Sequence, residues 1–316
     1  VDTVKSDLVV NGRVLALPLF VDSLALYYNK GIFNASGIAR PPQTWNEVHD
    51  VVRRTVRFNP VEQGQIDQHG IAIGSGRNVN RAPDILSALL LQNVPRNEHG
   101  DPALVTPEGE VTFGQDERAQ KALQFLTDFA SPAKDIYTWQ LASDYSIDAF
   151  AEGEAAMMLN YSYHIPTVRA KNSRMNFAVA PFPQLAGTAP EDRTTYASYW
   201  AFAVSRQSPN PQAAWELVRF LTSAAAARDY LKRTGYPPAR GDLVAELQND
   251  PVIGVFAEQS LYARTWRQPD NRVVDRVFTE ALDDVVSGRD SVEGALRRAA
   301  EQIQAAAAAA LGPRSP

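Results

Sequence analysis

The feature that most constrains this chain is an apolar run near its beginning that carries a single acid. Residues 17–30 read LPLFVDSLALYYNK. A run so rich in apolar, β-branched and aromatic residues is typical of a buried strand. Asp22 stands in the middle of it, although Asp is depleted in strands and is rarely buried without a partner. We therefore expect the carboxylate of Asp22 to face either solvent or a ligand.

Length and composition exclude several classes of protein. At 316 residues the chain suits two lobes or one large α/β domain. A net charge of −5 without a basic stripe argues against a nucleic-acid partner. The chain has no cysteine, which excludes disulfides, thiolate metal sites and a cysteine nucleophile. No stretch approaches the roughly 18 apolar residues of a membrane span. The first residues lack a signal-peptide pattern, so the protein is either cytosolic or preceded by a signal segment.

Turn and capping signals divide the chain into alternating helices and strands. Thr44 and Glu47 form a capping box, which predicts a helix start. Short apolar runs predict strands at residues 70–74, 155–159, 177–180 and 201–204. Further helices are predicted from residue 83, over 115–129, from 146, from 211, and from 291 to the polyalanine tail. Alternation followed by a helical last third predicts an α/β fold.

No arrangement of residues points to an enzyme or a metal site. No two of the four histidines have metal-ligand spacing. The glycine-rich stretch 70–76 has neither the Lys-Ser/Thr of a phosphate loop nor dinucleotide-type spacing, and no Gly-x-Ser-x-Gly elbow occurs. A glycosidase needs two positioned carboxylates, and Asp22, Asp144, Asp148 and Glu152 are only four among 36 acids. We expect no cofactor and no metal.

Aromatic and amide side chains cluster where the predicted strands begin or end. Such clusters lie at residues 27–29, 77–80, 137–139, 160–163 and 196–200. Rings that stack on apolar faces, beside groups that exchange hydrogen bonds, suit a polyhydroxylated ligand such as a sugar. Ligands of open α/β sheets bind at strand ends, whereas each ring taken singly is also compatible with a place in the core.

Several of these segments resemble the family-1 extracellular solute-binding proteins of ABC importers, whose best-known members bind maltose and other oligosaccharides. The run from Val21 to Lys30, followed by PQTWNE at 42–47, resembles the signature of that family. Further similar segments are GIAIG at 70–74, FAEGEAAMMLNYSY at 150–163, FAVAPFP at 177–183, SYWAFAVS at 198–205, AWELVRFL at 214–221 and PPAR at 237–240. The similar segments follow the family's order along nearly the whole chain.

The resemblance implies a two-lobed α/β fold of the periplasmic-binding-protein type, with hinge strands between the lobes. The signature strand lies well inside the family's chains, so the N-terminal part of the first lobe is expected to lie outside this chain. The implied divisions are residues 1–21 as a remnant of lobe 1, 22–195 as lobe 2, and 196–252 as the return to lobe 1. Residues 253–316 are expected to form C-terminal helices that pack across both lobes.

The resemblance also implies a set of ligand-binding residues. It places Asp22 at the first hinge crossing and Tyr163 in the position of a stacking tryptophan. The remaining expected contacts are Asn78 and Asn80 on a cleft-edge loop, Tyr161 beside Tyr163, Tyr199 and Trp200 at the hinge return, and Trp139, Arg240 and Trp266 near the cleft. The Tyr-Ser-Tyr sequence at 161–163 replaces a glycine-containing turn and a tryptophan common in the family, which leaves the class of ligand open.

The implied function is non-catalytic capture of a carbohydrate and its delivery to the membrane subunits of an ABC importer. The implied protein is an extracytoplasmic monomer, lipid-anchored through an upstream segment. Two alternatives stay open. One is a binding protein for a non-sugar solute, such as a peptide, a nucleoside or a polyamine derivative. The other is a carbohydrate-active enzyme that uses Asp22 with a second acid.

Overall fold

The computed structural model describes residues 1–10, 12–94, 104–106 and 109–311. Its helices are α1 (Asp2–Leu8), α2 (Lys30–Ala35), α3 (Trp45–Thr55), α4 (Ala82–Asn93), α5 (Glu117–Asp128), α6 (Ser146–Glu152), α7 (Ile165–Lys171), α8 (Pro211–Leu221), α9 (Ala224–Thr234), α10 (Gly241–Leu247), α11 (Gly254–Gln259), α12 (Asn271–Val286) and α13 (Val292–Leu311). Its strands are β1 (Val9–Val10), β2 (Arg13–Val14), β3 (Ala16–Pro18), β4 (Asp22–Ser23), β5 (Ala25–Asn29), β6 (Arg57–Phe58), β7 (Ile66–Gln68), β8 (Met157–Asn160), β9 (Phe177–Ala180), β10 (Thr195–Ser198), β11 (Ala201–Ala203) and β12 (Ala263–Arg264).

The apolar run at residues 17–30 is not one strand, and that part of the prediction is wrong. It supplies the end of β3, then β4 and β5, and these three strands belong to three different sheets. β3 pairs with β11, β4 with β10, and β5 with both β8 and β9, always antiparallel. Residues 20–27 are all buried while the chain passes from sheet to sheet, and this burial accounts for the mainly apolar character of the run.

Most of the described residues form a larger body, residues 24–196 and 254–311. Its sheet has the order β8-β5-β9, with Leu26 opposite Leu159 on one side and Ala180 on the other. Helix α3 packs here through Val48, Val51 and Val52, and ends at Thr55. One continuous core cluster joins this sheet to the helices around it.

Helices α12 and α13 belong to this larger body. They pack on each other and on α4 and α5. The inward residues of α12, including Phe278 and Leu282, are fully buried in the large core cluster. These helices therefore cover the larger body, whereas the resemblance places them across both lobes. Residues 312–316 of that segment lie outside the described residues.

A smaller body contains residues 1–21 and 197–250. It has the two-stranded sheet β3–β11 and helices α8, α9 and α10. Two small clusters hold it together, one around Val21 and Ala239 and one around Phe20 and Leu231. Several of its large apolar side chains are exposed, among them Trp200, Phe202, Leu217 and Phe220.

A third sheet, which we call the crossing sheet, lies where the two bodies meet. Its order is β12-β10-β4, with Ser23 opposite Ala197 and Tyr196 opposite Arg264. The amide of Gln259 donates to the Ser23 hydroxyl at 3.0 Å and to the Leu24 carbonyl at 3.1 Å. Chain segments far apart in sequence therefore meet in one narrow sheet.

The remaining sequence predictions are mostly confirmed, and one strand fails. The strands expected at 155–159, 177–180 and 201–204 correspond to β8, β9 and β11. Thr44 caps α3, and its hydroxyl accepts the Glu47 N–H at 3.3 Å. The helices expected from 83, 146, 211 and 291 begin within one residue of those positions. Residues 70–74 form no strand, although Ala72 donates to the Met157 carbonyl at 2.9 Å beside β8. None of the helices in the described ranges has the length and apolar character needed to span a bilayer.

Candidate functional site

The carboxylate of Asp22 is fully buried at the junction of the two bodies. Its Oδ2 accepts the Ser162 hydroxyl at 2.7 Å. Its Oδ1 accepts the backbone N–H of Ser23 at 2.8 Å and that of Ser162 at 3.2 Å. Ser162 comes from the larger body, two residues after the edge strand β8, so this carboxylate joins the crossing sheet to the sheet of the larger body.

Burial raises the pKa of Asp22 to about 7, from 3.8. Desolvation disfavours the charged carboxylate, while the hydrogen bonds from Ser162 and Ser23 act in the opposite direction and only partly offset it. No cation forms an ion pair with Asp22 among the described residues. The side chain faces serines and backbone donors rather than bulk solvent, so the solvent-facing alternative is wrong.

A second buried acid lies at the start of α4. The hydroxyl of Tyr161 donates to Asp84 Oδ2 at 2.6 Å, and Arg81 Nε donates to the same oxygen at 2.8 Å. The Tyr27 hydroxyl in turn donates to the carbonyl of Tyr161 at 2.6 Å. Burial raises the pKa of Asp84 above its usual value, although Arg81 and Tyr161 favour the charged form.

Arg81 is the one described non-glycine residue with a positive φ, 59°. This left-handed conformation costs a non-glycine residue roughly 1–3 kcal/mol. It places Arg81 just before the first turn of α4, where the guanidinium pairs with Asp84 and lies 5.9 Å from the centre of the Tyr161 ring. Strained residues of this kind concentrate at binding sites.

A row of aromatic rings connects this group to the smaller body. Tyr161 stacks on Tyr163, with ring centres 5.4 Å apart and planes 14° apart. Tyr163 lies 6.4 Å from Tyr236, which stacks on Phe20 at 4.2 Å. The contact between Tyr163 and Tyr236 therefore joins the two bodies.

A cavity of about 950 Å³, which we call the polar cleft, lies on one side of the crossing sheet. Its walls are Asp7, Val10, Arg81, Asp84, Val105, Thr106, residues 196–199, residues 265–268, Asn271 and Asp275. The amide of Gln268 donates to the Tyr196 hydroxyl at 2.7 Å, and the hydroxyls of Tyr199 and Thr265 both donate to Asp7. Rings, amides, hydroxyls and carboxylates thus face one open cleft.

A second cavity of about 780 Å³, which we call the apolar cavity, lies beside Ser162. It is bounded by α7 of the larger body and by α9, α10 and residues 250–253. Ser162 lines the apolar cavity, and Ser198, the strand partner of Asp22, lines the polar cleft. Asp22 therefore has a direct neighbour in the lining of each cavity.

The structure brings Asp22, Tyr161, Tyr163, Tyr199 and Trp266 to this region. Trp266 is 7% exposed, donates to the Ser87 hydroxyl at 3.2 Å and lines the polar cleft. Trp200 follows Tyr199, is 80% exposed and lines neither cavity.

The other expected contacts lie elsewhere. The amide of Asn78 donates to the carbonyls of Gln140 and Ser143, and its Oδ1 accepts the indole N–H of Trp139 at 3.2 Å. Trp139 is fully buried, so it presents no face to either cavity. The amide of Asn80 donates to the Tyr145 hydroxyl at 2.8 Å. Arg240 pairs with Asp242 beside a third, smaller cavity.

Acidic side chains meet at one further place among the described residues. Asp144, Glu152 and Glu154 lie close enough together to share an ion, but all three are exposed. Asp148 pairs with Lys171 at 2.6 Å. Exposed acids of this kind are common without a ligand, so this group gives no evidence of a metal centre.

Sequence reasoning misses Arg81, Asp84, Tyr236, Gln268 and Asp275. In the sequence around Arg81, the dominant pattern is the helix start at Pro83. This pattern gives no indication that Arg81 and Asp84 pair at a cleft. Asn271 and Asp275 are four residues apart on α12, and both line the polar cleft. This spacing places them on one face of the helix and can be read from the sequence alone.

Comparisons with known proteins agree with one another. The sequence profile of a family described as bacterial extracellular solute-binding protein matches residues 1–254. A probable ABC transporter-binding protein of Deinococcus radiodurans is 25% identical over 309 residues, which cover 93% of this chain and 69% of that protein. A solute-binding protein of Thermotoga lettingae bound with α-D-tagatose superposes with a TM-score of 0.70 at 22% identity, covering 95% of this chain and 74% of that one. A cyclic α-maltosyl-1,6-maltose binding protein of Arthrobacter globiformis gives 0.73 at 18% identity, with 97% and 75% covered.

Proposed function

Because this chain belongs to the family of bacterial extracellular solute-binding proteins, we propose that it captures a carbohydrate in the polar cleft and delivers it to an ABC importer. The observation that carries this proposal is the lining of that cleft. Tyr196, Tyr199 and Trp266 supply rings, and Gln268 and Asn271 supply amides, around one space of about 950 Å³. Sugars present both apolar faces and hydroxyl groups, so they need this mixture.

The charged groups of the cleft suit a neutral polyol better than an ion. Arg81 and Asp84 already neutralise each other at 2.6 Å, and Asp7 already accepts two hydroxyls. Fixed, paired charges of this kind offer directional hydrogen bonds without demanding a countercharge from the ligand. The sugars named for the similar structures of Thermotoga lettingae and Arthrobacter globiformis agree with this choice.

The proposed signal to the importer is movement of the two bodies about the crossing sheet. A ligand shifts such an equilibrium only through its different affinity for the two arrangements. Residues of both bodies line the polar cleft, with Asp7 and Tyr199 from the smaller and Arg81 and Asn271 from the larger. A sugar held by both favours their approach, and the importer is expected to bind that closed form.

The proposed contacts keep part of the set expected from the sequence and add to it. Direct contacts are Tyr199, Trp266, Arg81, Gln268 and Asn271, which line the cleft. Asp22 positions the crossing sheet, and Tyr161 and Tyr163 position the row of aromatic rings. Trp200 remains a proposed contact because its exposed ring follows Tyr199 and is free to cover a bound sugar.

The test is thermal unfolding of the purified protein with a panel of pentoses, hexoses and oligosaccharides. A ligand at 100 times its Kd stabilises by about 2.7 kcal/mol, which for a chain of this size raises Tm by about 4 °C. We expect one class of sugar to do this and the others to leave Tm unchanged.

Substitutions then locate the site. Tyr199→Ala and Trp200→Ala should each weaken binding of the identified sugar by about tenfold or more, because each substitution removes a ring that packs on the sugar. Phe58→Ala on the β6–β7 hairpin removes another exposed ring far from the cleft and should leave affinity unchanged. Equal affinity in all three variants would reject the polar cleft as the site.

The proposed role involves binding without catalysis. Glycoside hydrolysis requires two carboxyl groups facing the same bond across a gap. Asp22 is fully enclosed by serines and backbone donors, and Asp84 is held by Arg81 and Tyr161. Product release from an oligosaccharide that is abolished in Asp22→Asn would overturn this assignment.

A further inference from the structure

The apolar cavity is unlike the polar cleft in its chemistry. Its walls are mainly aliphatic, supplied by Ile165 of α7, Leu231 of α9, Leu243 and Leu247 of α10, and Val252 and Ile253. At about 780 Å³ it has the size of a small-molecule site. Aliphatic walls offer nothing to the hydroxyl groups of a sugar, so this space calls for an apolar ligand group.

The acids around the apolar cavity already have partners. Glu246 accepts two hydrogen bonds from Arg228, at 2.6 and 2.9 Å. Asp250 Oδ1 accepts the backbone N–H groups of Val252 and Ile253, both at 2.8 Å. Glu246 is therefore paired, whereas Asp250 keeps its charge, so the lining carries three cations, Arg169, Arg228 and Lys232, against two acids.

Two cations of the same cavity have no such partner among the described residues. Arg169, on the last turn of α7, and Lys232, on the last turn of α9, are exposed and form no ion pair or hydrogen bond there. They come from the two bodies on opposite sides of the cavity. The rim consequently carries an excess of positive charge above an aliphatic interior.

We propose that the apolar cavity is a second ligand site, which takes a small amphipathic anion. The aliphatic walls hold the apolar body of this ligand, and its carboxylate or other anionic head lies at the rim with Arg169 and Lys232. This charge and this polarity match neither a neutral sugar nor a cationic ligand.

Occupancy of this cavity is coupled to the arrangement of the two bodies. Its walls come from both, and Ser162 on its surface donates to Asp22 of the crossing sheet. A ligand that touches both bodies binds with different free energy when their spacing changes. The second ligand therefore acts on the same movement as a solute in the polar cleft, without occupying it.

Calorimetric titration with three probes of equal chain length tests the proposal. We expect octanoate to bind one to one, and octanol about fivefold more weakly because each exposed ion pair adds only a modest increment. Octylammonium should bind more weakly still, because its charge is repelled at the rim. Equal affinity for all three probes, or no binding of octanoate, would overturn the proposal.

Variants separate this cavity from other apolar surfaces. The double substitution Arg169→Gln with Lys232→Gln should weaken octanoate about fivefold and leave octanol unchanged. Arg174→Gln removes an exposed cation just beyond α7 that does not line the cavity, and should have no effect. Leu247→Asp should abolish binding of octanoate.

Because Leu247 is half-buried, the thermal unfolding curve of that variant is recorded alongside. The double variant changes exposed side chains only, so it still tests the proposed site if Leu247→Asp fails to fold. An octanoate affinity that survives the double substitution unchanged contradicts the site. These outcomes do not depend on whether any sugar binds in the polar cleft.

Discussion

Asp22 shows how one side chain can be correctly singled out and still be placed in an unexpected setting. An acid within an apolar run predicts contact with either solvent or a ligand, but the groups that contact this carboxylate belong to the protein: one serine hydroxyl and two backbone N–H groups. Ser162 lies 140 residues away in sequence. Only the folded chain brings this donor to Asp22, so no local pattern identifies it.

The raised pKa of Asp22 makes stability depend on pH in a definite direction. The folded protein binds this proton below a pKa of about 7, whereas the unfolded chain releases it near 3.8. The stabilising effect of this proton is complete below pH 4 and is lost as pH rises through about 7. The difference corresponds to about 4 kcal/mol.

Urea unfolding at pH 4.5, 6 and 7.5 measures this effect. We expect Asp22→Asn, which keeps the shape but cannot titrate, to lose less stability than the original chain between pH 4.5 and 7.5. The comparison between variants is needed because Asp84 and Glu154 also have raised pKa values. Parallel stability profiles for the two proteins would contradict burial of an ionisable Asp22.

Tyr161 supports the second buried acid, Asp84. Tyr161→Phe removes the hydroxyl that donates to Asp84 at 2.6 Å and leaves this carboxylate short of one donor. We expect a loss of about 1–3 kcal/mol in the free energy of unfolding, the usual cost of a buried polar group without its partner. Tyr163→Phe, in the half-buried neighbouring ring, is the control and should cost less than about 0.5 kcal/mol. Similar losses in both variants would show that the hydroxyl of Tyr161 is not the relevant group.

At the scale of elements, helices are predictable here and the sheets are not. Capping residues such as Thr44 and prolines such as Pro211 act within one turn, so their effect can be read locally. The division of residues 17–30 among three sheets depends on partners near 159, 180, 197 and 202. The candidate site follows the same rule. Asp22 and Tyr199 stand out by residue type, while Arg81 and Asp275 gain their position from long-range packing.

The stretch 70–76 illustrates a glycine used for packing between elements. The Gly76 N–H donates to Asp283 of α12 at 2.7 Å, and a Cβ at this position would collide with the Thr279 carbonyl oxygen. Gly76→Ala should therefore destabilise by about 1–3 kcal/mol, as overpacking does. Gly241→Ala is the control, because a Cβ there meets no atom within 4 Å. Chemical denaturation of both variants checks this, and an unaffected Gly76→Ala would mean that α12 packs less closely than described.

At the scale of the molecule, the contacts between the two bodies include a narrow sheet, a row of rings, the hydrogen bond from Thr265 to Asp7 and the packing of α10 on α11. Each strand pair of the crossing sheet has only two paired residues, and the ring centres of Tyr163 and Tyr236 are 6.4 Å apart. Separate contacts of this kind resist bending less than the continuous core of the larger body does. Relative movement of the bodies is therefore expected here.

Small-angle X-ray scattering measures that movement directly. We expect the radius of gyration to fall when the sugar identified by thermal unfolding is added, because a ligand held by both bodies favours their approach. A stereoisomer that fails to raise Tm is the control and should leave the scattering unchanged. An unaltered radius of gyration with a saturating ligand would remove body closure from the proposed function.

The crossing sheet also dictates when in its synthesis this protein can fold. β4 at residues 22–23 pairs with β10 at 195–198, which pairs with β12 at 263–264. Helices α4 and α5 likewise wait for α12 and α13 to cover them. Contacts of such sequence separation form slowly, since long loops must close first. The smaller body therefore cannot be complete until residue 250 has left the ribosome, nor the larger body until α13 has. Until α12 and α13 emerge, the apolar faces of α4 and α5 remain open to aggregation.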